Sequence, residues 1–171
     1  KSQENNLKYL IKDYSKKQIP KYATHLFACG KEAGKWMFGK HKFQIMNNAI
    51  DAKKFIYNEE VRKQKRAELG VEDKFVIGHV GRFNLQKNHE FLVKCFADLA
   101  KTNDDAVLVL IGNGELQEKI KEMAKEYGIE TKVKFLGLRE DIPQLLQAMD
   151  LFLFPSLFEG LPVTLVEAQA A

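Results

Sequence analysis

Long apolar runs are missing from these 171 residues. None approaches the roughly 20 needed to cross a bilayer, so the sequence does not read as an integral membrane protein. Cysteine is scarce. Cys29 and Cys95 lie in apolar segments without metal-ligand spacing, and they read as buried thiols of a cytosolic protein rather than a disulfide. No Asp-x-Asp occurs to hold a metal-bound diphosphate, and no Gly-x-x-x-x-Gly-Lys-Ser/Thr to form a P-loop. Gly112-Asn113-Gly114 lacks the third glycine of a dinucleotide fingerprint. His25, His41, His79 and His89 are unpaired in sequence, and no Ser-His-Asp order stands out. His79, inside an apolar run, reads as a hydrogen-bonded core residue rather than a base. Internal repeats and low-complexity stretches are absent as well.

What remains is ordinary globular material, 45% apolar and 29% charged. The net charge of +4 is uneven: residues 1–70 hold 16 Lys+Arg against 7 Asp+Glu, the remainder 11 against 16. The lysines of the basic half are scattered with few aromatics between them, so nucleic acid is not expected as a partner. The chain opens on charged residues without an initiator Met and without a signal-peptide pattern, and it stops inside a helical pattern. The expectation is a piece of a larger protein.

Leu7, Leu10, Ile11 and Tyr14 share helical spacing over residues 5–19, with Pro20 as the expected stop. Strands over 25–28 and 43–46 flank a helix over 31–38 ended at Gly39. This α-β-α-β stretch holds too little apolar material for its own core and reads as the tail of an upstream domain, residues 1–50. Asn47 to Asp51 is a hinge by composition. A helix over 58–69, ended by Gly70, opens the second part, residues 51–171. There strand and helix alternate four times. Strands are expected over 75–80, 106–111, 132–136 and 151–154. Helices are expected over 88–101 (inward face Phe91, Leu92, Cys95, Phe96, Leu99), over 115–127 (Leu116, Ile120, Met123, Tyr127 inward), over 142–149 capped by Asp141, and from Pro162 as first helical residue. The pattern predicts an α/β fold with a doubly wound parallel, Rossmann-like sheet.

In such a sheet ligands bind beyond the carboxyl ends of the strands. Four loops leave those ends: Gly81 to Lys87, Gly112 to Gly114, Gly137 to Arg139, and Glu159 to Leu161. Arg82 grips phosphate bidentately and Lys87 acts as a point charge. The helix start at Pro162 is an anion site. Glu159 and Glu167 cannot both face phosphate, but a carboxylate suits a vicinal diol, so one is placed on a ribose and the other on a sugar.

Together these residues resemble the donor-binding half of family 4 retaining glycosyltransferases, which have the two-domain GT-B fold. The resemblance rests on Gly81-Arg82 with Lys87, Gly112-Asn113-Gly114, Phe135-Leu136-Gly137, Asp150 before 151–155, and the paired glutamates Glu159 and Glu167. Asn48-Ala49-Ile50-Asp51 with Phe55 is similar to that family's domain junction, with Ala49 for the usual glycine; Cys29 stands where serine is frequent. The match covers residues 20–171, and its wording is most similar to bacterial capsule and exopolysaccharide members.

The resemblance implies that Arg82 and Lys87 hold and stabilise the leaving diphosphate, that Glu167 binds ribose, and that Glu159 contacts the transferred sugar. It places the backbone of Gly81 and of Gly160, Leu161, Pro162 and Val163 against sugar and phosphate, and Leu138 and Arg139 near the base. It implies a UDP- or GDP-sugar donor, no metal and no cofactor. The acceptor, a glycan or lipid-linked sugar, would meet a domain outside this chain, in a cytoplasmic enzyme with peripheral attachment to the inner membrane face. The 171 residues alone are then expected not to transfer sugar. The alternatives are a nucleotide-sugar epimerase, a phosphorylase, or a non-enzymatic nucleotide-sugar-binding module of the same architecture.

Overall fold

The computed structural model describes the backbone of residues 2–171 and the side chains from Leu10 onward. The chain divides into two compact units, one reaching to Ala49 and the other spanning Ile50–Ala171.

The first unit contains α1 (Ser2–Tyr22), β1 (Phe27–Ala28), α2 (Lys31–Phe38) and β2 (Gln44–Ile45), with β1 and β2 parallel. Pro20 does not stop α1. Its ring removes one amide donor, but the following amides still reach back, as Ala23 N–H does to Ile19 O at 3.0 Å. Leu10, Ile11 and Tyr14 share the expected spacing yet stay exposed, while the side chain of Leu7 lies outside the described residues. Gly34 is buried against the Phe43 ring, which a Cβ there would overlap. Cys29 and Cys95 are both free and half-buried.

The second unit opens with a 3-10 turn, Ala52–Phe55, and α3 (Glu59–Leu69). Asn58 caps α3 by accepting from Glu60 and Val61 N–H, and Gly70 ends it in the left-handed conformation that favours glycine. There follow β3 (Phe75–Val80), α4 (His89–Ala100), β4 (Ala106–Ile111), α5 (Gln117–Glu126), β5 (Val133–Gly137), α6 (Ile142–Gln147), β6 (Leu151–Phe152) and α7 (Val163–Ala170). The four strands form one parallel sheet in the order β5-β4-β3-β6. Every residue of β4 is buried, as befits a central strand covered on both faces. One face packs Ile77, Leu108 and Leu110 against Leu92, Phe96 and Ile120 of α4 and α5. The other packs Val76, Val109 and Ile111 against Leu69, Val71 and Leu145.

Local expectations yield to packing in four places. Phe91 is 53% exposed, and Val93 and Ala97 complete the inward face of α4 instead. Tyr127 lies beyond α5 and is exposed. The run 151–154 keeps only two residues in the sheet, because β6 pairs on one side alone, with β3 at Ile77 and Gly78. Asp141 stands at the start of α6 without capping it; its carboxylate accepts from Arg139 (2.7 and 2.6 Å) and Lys65 (2.7 Å). Asp150 bonds the start of the sheet to α3. Its carboxylate accepts from Val76 N–H (2.7 Å), Arg62 (2.5 Å) and Arg66 (3.1 Å). Burial opposes the charge, but these three donors outweigh it and hold the carboxyl below its ordinary value. Among the described residues no helix is long and apolar enough to cross a membrane.

Candidate functional site

The strand order sets the site. From β3 the chain moves outward through β4 to β5, then returns so that β6 lies on the other flank of β3. The loops after β3 and β6 therefore leave the sheet side by side in opposite directions. This reversal is where open α/β sheets hold ligands.

Across the reversal Lys87 donates to Glu159 Oε1 at 2.9 Å, with the two side chains 16% and 20% exposed. The ammonium also lies 4.8 Å from the centre of the Phe154 ring. Lys87 closes a 3-10 turn, Leu85–Lys87, in which Asn84 accepts the Lys87 amide at 3.1 Å. Asn88 follows in the left-handed region, φ 55°, which turns the chain into α4. Gln86 and Asn88, on either side of Lys87, bind the backbone of the opposite loop: Gln86 Nε2 donates to Phe158 O (2.9 Å), Leu157 N–H to Gln86 O (2.9 Å) and Asn88 Nδ2 to Pro155 O (3.2 Å).

A cleft of about 360 Å³ opens beside this pair, at the ends of β3, β4 and β5. Gly81, Arg82, Leu138 and Arg139 line it, with Asn113 and the apolar Val80, Ile111 and Ile142. Arg82 is 72% exposed, and its nearest acid is Glu115 at 3.5 Å, a loose contact that leaves the guanidinium able to take another anion. Arg139 is committed. It donates to Asp141 and to Glu68 (2.7 Å), which raise its already high pKa and place its charge in a structural network with Lys65. It offers the cleft a wall rather than a free cation.

The cleft floor depends on Gly112. Its φ is 136°, and a Cβ there would fall on the Gly81 carbonyl oxygen. Gly112→Ala is expected to destabilise the protein by roughly 3 kcal/mol through backbone strain and overlap together. Urea unfolding followed by circular dichroism measures this; a variant within 1 kcal/mol of the parent (about the strain term alone) would contradict the fit.

Pro162 stands one position before α7, at its N-cap, rather than as its first residue. No side chain caps the helix there, so its first amides have no capping partner from that residue. Gly160, Leu161 and Val163 surround this turn. Glu167 lies on the second turn, half-buried, and burial pushes its carboxyl up from the ordinary value.

The structure thus brings Lys87 to Glu159, and Gly81, Arg82, Leu138 and Arg139 to one cleft. Glu167 lies on α7. Sequence reasoning put Lys87 and Glu159 on separate parts of a ligand; in the folded chain they neutralise each other. Glu115 and Phe154 were missed, since neither carries a local motif. His79 is buried and hydrogen-bonded, as expected, with Nδ1–H donating to Leu153 O at 2.8 Å. Its neighbour His89 was not expected in the core. It stacks on Phe83 at 4.1 Å and meets His79 edge-on at 4.8 Å.

Comparison with known proteins adds a family. Residues 60–171 match the family described as Glycosyl transferases group 1. EpsF of Bacillus subtilis (strain 168), named as a glycosyltransferase, is 41% identical over 155 residues, covering 87% of this chain and 40% of that protein. The UDP-Gal:alpha-D-GlcNAc-diphosphoundecaprenol alpha-1,3-galactosyltransferase of Escherichia coli is 33% identical over 75% of this chain and 33% of its own length. The crystal structure of HepE from Anabaena in complex with UDP-glucose superposes with a TM-score of 0.79 at 26% identity, over 89% of this chain and 44% of that one. The chain spans less than half the length of each.

Proposed function

The chain belongs to the glycosyl transferases of group 1, and from that premise we propose that it is the donor-binding part of an enzyme that moves a hexose from a nucleoside-diphosphate sugar to a glycan or lipid-linked acceptor. The parallel α/β sheet and the GT-B likeness to HepE frame the reading. The observation that carries it is the Lys87–Glu159 pair at the sheet's reversal point, flanked by a helix start and by a cleft holding Arg82.

Lys87 and Arg82 meet the diphosphate, and the first amides of α7, with Gly160, Leu161, Pro162 and Val163, close around phosphate and sugar. As the bond from the sugar to the diphosphate breaks, charge develops on the departing phosphate oxygen, and these groups stabilise it without a metal ion. Glu159, released from Lys87, takes the sugar hydroxyls, and Glu167 the ribose diol. The base enters the cleft beside Gly81 and Leu138, against the wall formed by Arg139. We further propose retention of anomeric configuration, membership of family 4, and a role in capsule or exopolysaccharide synthesis at the cytoplasmic face of the membrane. Residues 1–50 are assigned to the acceptor domain and 51–171 to the donor domain, a division that the boundary after Ala49 supports. Transfer then needs acceptor-side residues beyond these.

Titration of the 15N-labelled chain with UDP and with GDP tests the reading. One of the two is expected to shift resonances of Arg82, Lys87, Gly81 and Glu167. Shifts confined to other surfaces, or none at millimolar nucleotide (the weak end of specific binding), would refute it.

A further inference from the structure

Beyond Lys87 and Glu159 themselves, we propose that Gln86 is the positioning residue that makes their pairing possible, by lashing the loop after β6 to the turn after β3. The inference rests on the reading of this site as a nucleotide-sugar donor site.

After Phe152 the chain leaves the sheet, and from Pro155 to Gly160 it has no regular secondary structure. A segment of this kind needs tethers to hold a side chain in place. Gln86, Lys87 and Asn88 supply them in succession. The Gln86 side-chain amide donates to Phe158 O, one residue before Glu159, and the Gln86 carbonyl accepts from Leu157 N–H, each at 2.9 Å. Lys87 reaches Glu159 and Asn88 reaches Pro155. Gln86 thereby grips both sides of the Leu157–Phe158 peptide. Its own turn is rigid, with Asn84 accepting the Lys87 amide and Asn88 N–H bonded to Leu85 O (3.2 Å).

This two-ended grip matters because the Lys87–Glu159 pair is partly exposed, and such a pair does not order a loop by itself: it gains little over water and costs side-chain entropy. The neutral Gln86 bond is unaffected when an arriving diphosphate draws Lys87 away from Glu159. It keeps Glu159 in register while the charges change partners. The base cleft at the ends of β3, β4 and β5 is lined by neither Gln86 nor the Leu157–Phe158 segment that it holds.

The test variant is Gln86→Met, which keeps the side-chain length and removes the donor. Hydrogen exchange of the Leu157 amide is expected to quicken about tenfold or more while exchange of the β3 and β4 amides is unchanged. The nucleoside diphosphate that binds the parent, UDP or GDP, is expected to bind about tenfold more weakly, whereas the nucleoside of the same base binds as before. A purely structural role would lower both affinities together. Unchanged exchange at Leu157 overturns the proposal whatever the binding result, and equal loss for nucleoside and diphosphate overturns it too. If the parent chain binds neither nucleotide, the donor-site reading fails, while the exchange measurement still decides whether Gln86 holds the loop.

Discussion

Lys87→Ala is expected to lower sugar transfer by the full-length enzyme about 100- to 1000-fold, the scale of losing one donor aimed at developing charge. The variant removes the ammonium that would meet the departing diphosphate and leaves Glu159 without its partner. Binding of the bare nucleoside diphosphate should weaken less, by about 10- to 100-fold, because one charge-assisted hydrogen bond contributes about 1.5–3 kcal/mol. Glu159→Gln should separate the two roles. In the free protein Glu159 occupies Lys87 at 2.9 Å, so a diphosphate must compete with it. Neutralising the carboxylate removes the competitor and a repelling charge. Bare UDP or GDP should then bind about fivefold more tightly, while transfer falls because the sugar hydroxyls lose the charged carboxylate that accepts from them. Calorimetric titration of the three proteins, at low and high salt, measures both effects. Weaker nucleotide binding by Glu159→Gln would show that the pair does not oppose the ligand.

Acidification from pH 7.5 to pH 5 should cost the fold about 4 kcal/mol, through His79 and His89. Burial holds His79 down to about 4, the bond to Leu153 O working against it and Lys87 adding a smaller repulsion. Burial, His79 and Lys87 hold His89 down to about 3. An unfolded histidine titrates near 6.5. Below that pH the unfolded chain takes up protons that the folded chain refuses, so the stability is complete above 6.5 and drains as pH falls towards the folded values. The slope is about 1.4 kcal/mol per pH unit for each ring, or about 2 kcal/mol each down to pH 5. Asp141 and Asp150, both lowered, enter only below about pH 4, the ordinary carboxyl value. Glu167, raised by burial, acts in the opposite sense. Urea unfolding at pH 7.5 and 5.0 provides the measurement. His89→Phe should remove about half of the pH dependence, since that ring stacks on Phe83 and neither nitrogen has a hydrogen-bond partner in the protein. A parent protein equally stable at both values would exclude neutral buried histidines.

The sequence by itself determined the elements and their kind. Phe75–Val80 and Ala106–Ile111 appear with their expected bounds, because a strand buried on both faces is a near-continuous apolar run. Asn58 and Gly70 marked the ends of α3, because capping is decided within one turn of chain. The four glycine-bearing loops were legible as leaving one edge of the sheet, because parallel strands all point their carboxyl ends the same way. Tertiary structure alone decided who meets whom. The order β5-β4-β3-β6 put Lys87 against Glu159, 72 positions apart, and no local pattern records that distance. Packing also decided that Asp141 serves Lys65, 76 positions away, rather than its helix and that Phe91 stays outside while His89 goes in. In each case a long-range partner outweighs a local preference of about 1 kcal/mol. Propensity and periodicity act over neighbouring turns, so they are written in the chain. Charge pairing and burial depend on which segments the fold brings together.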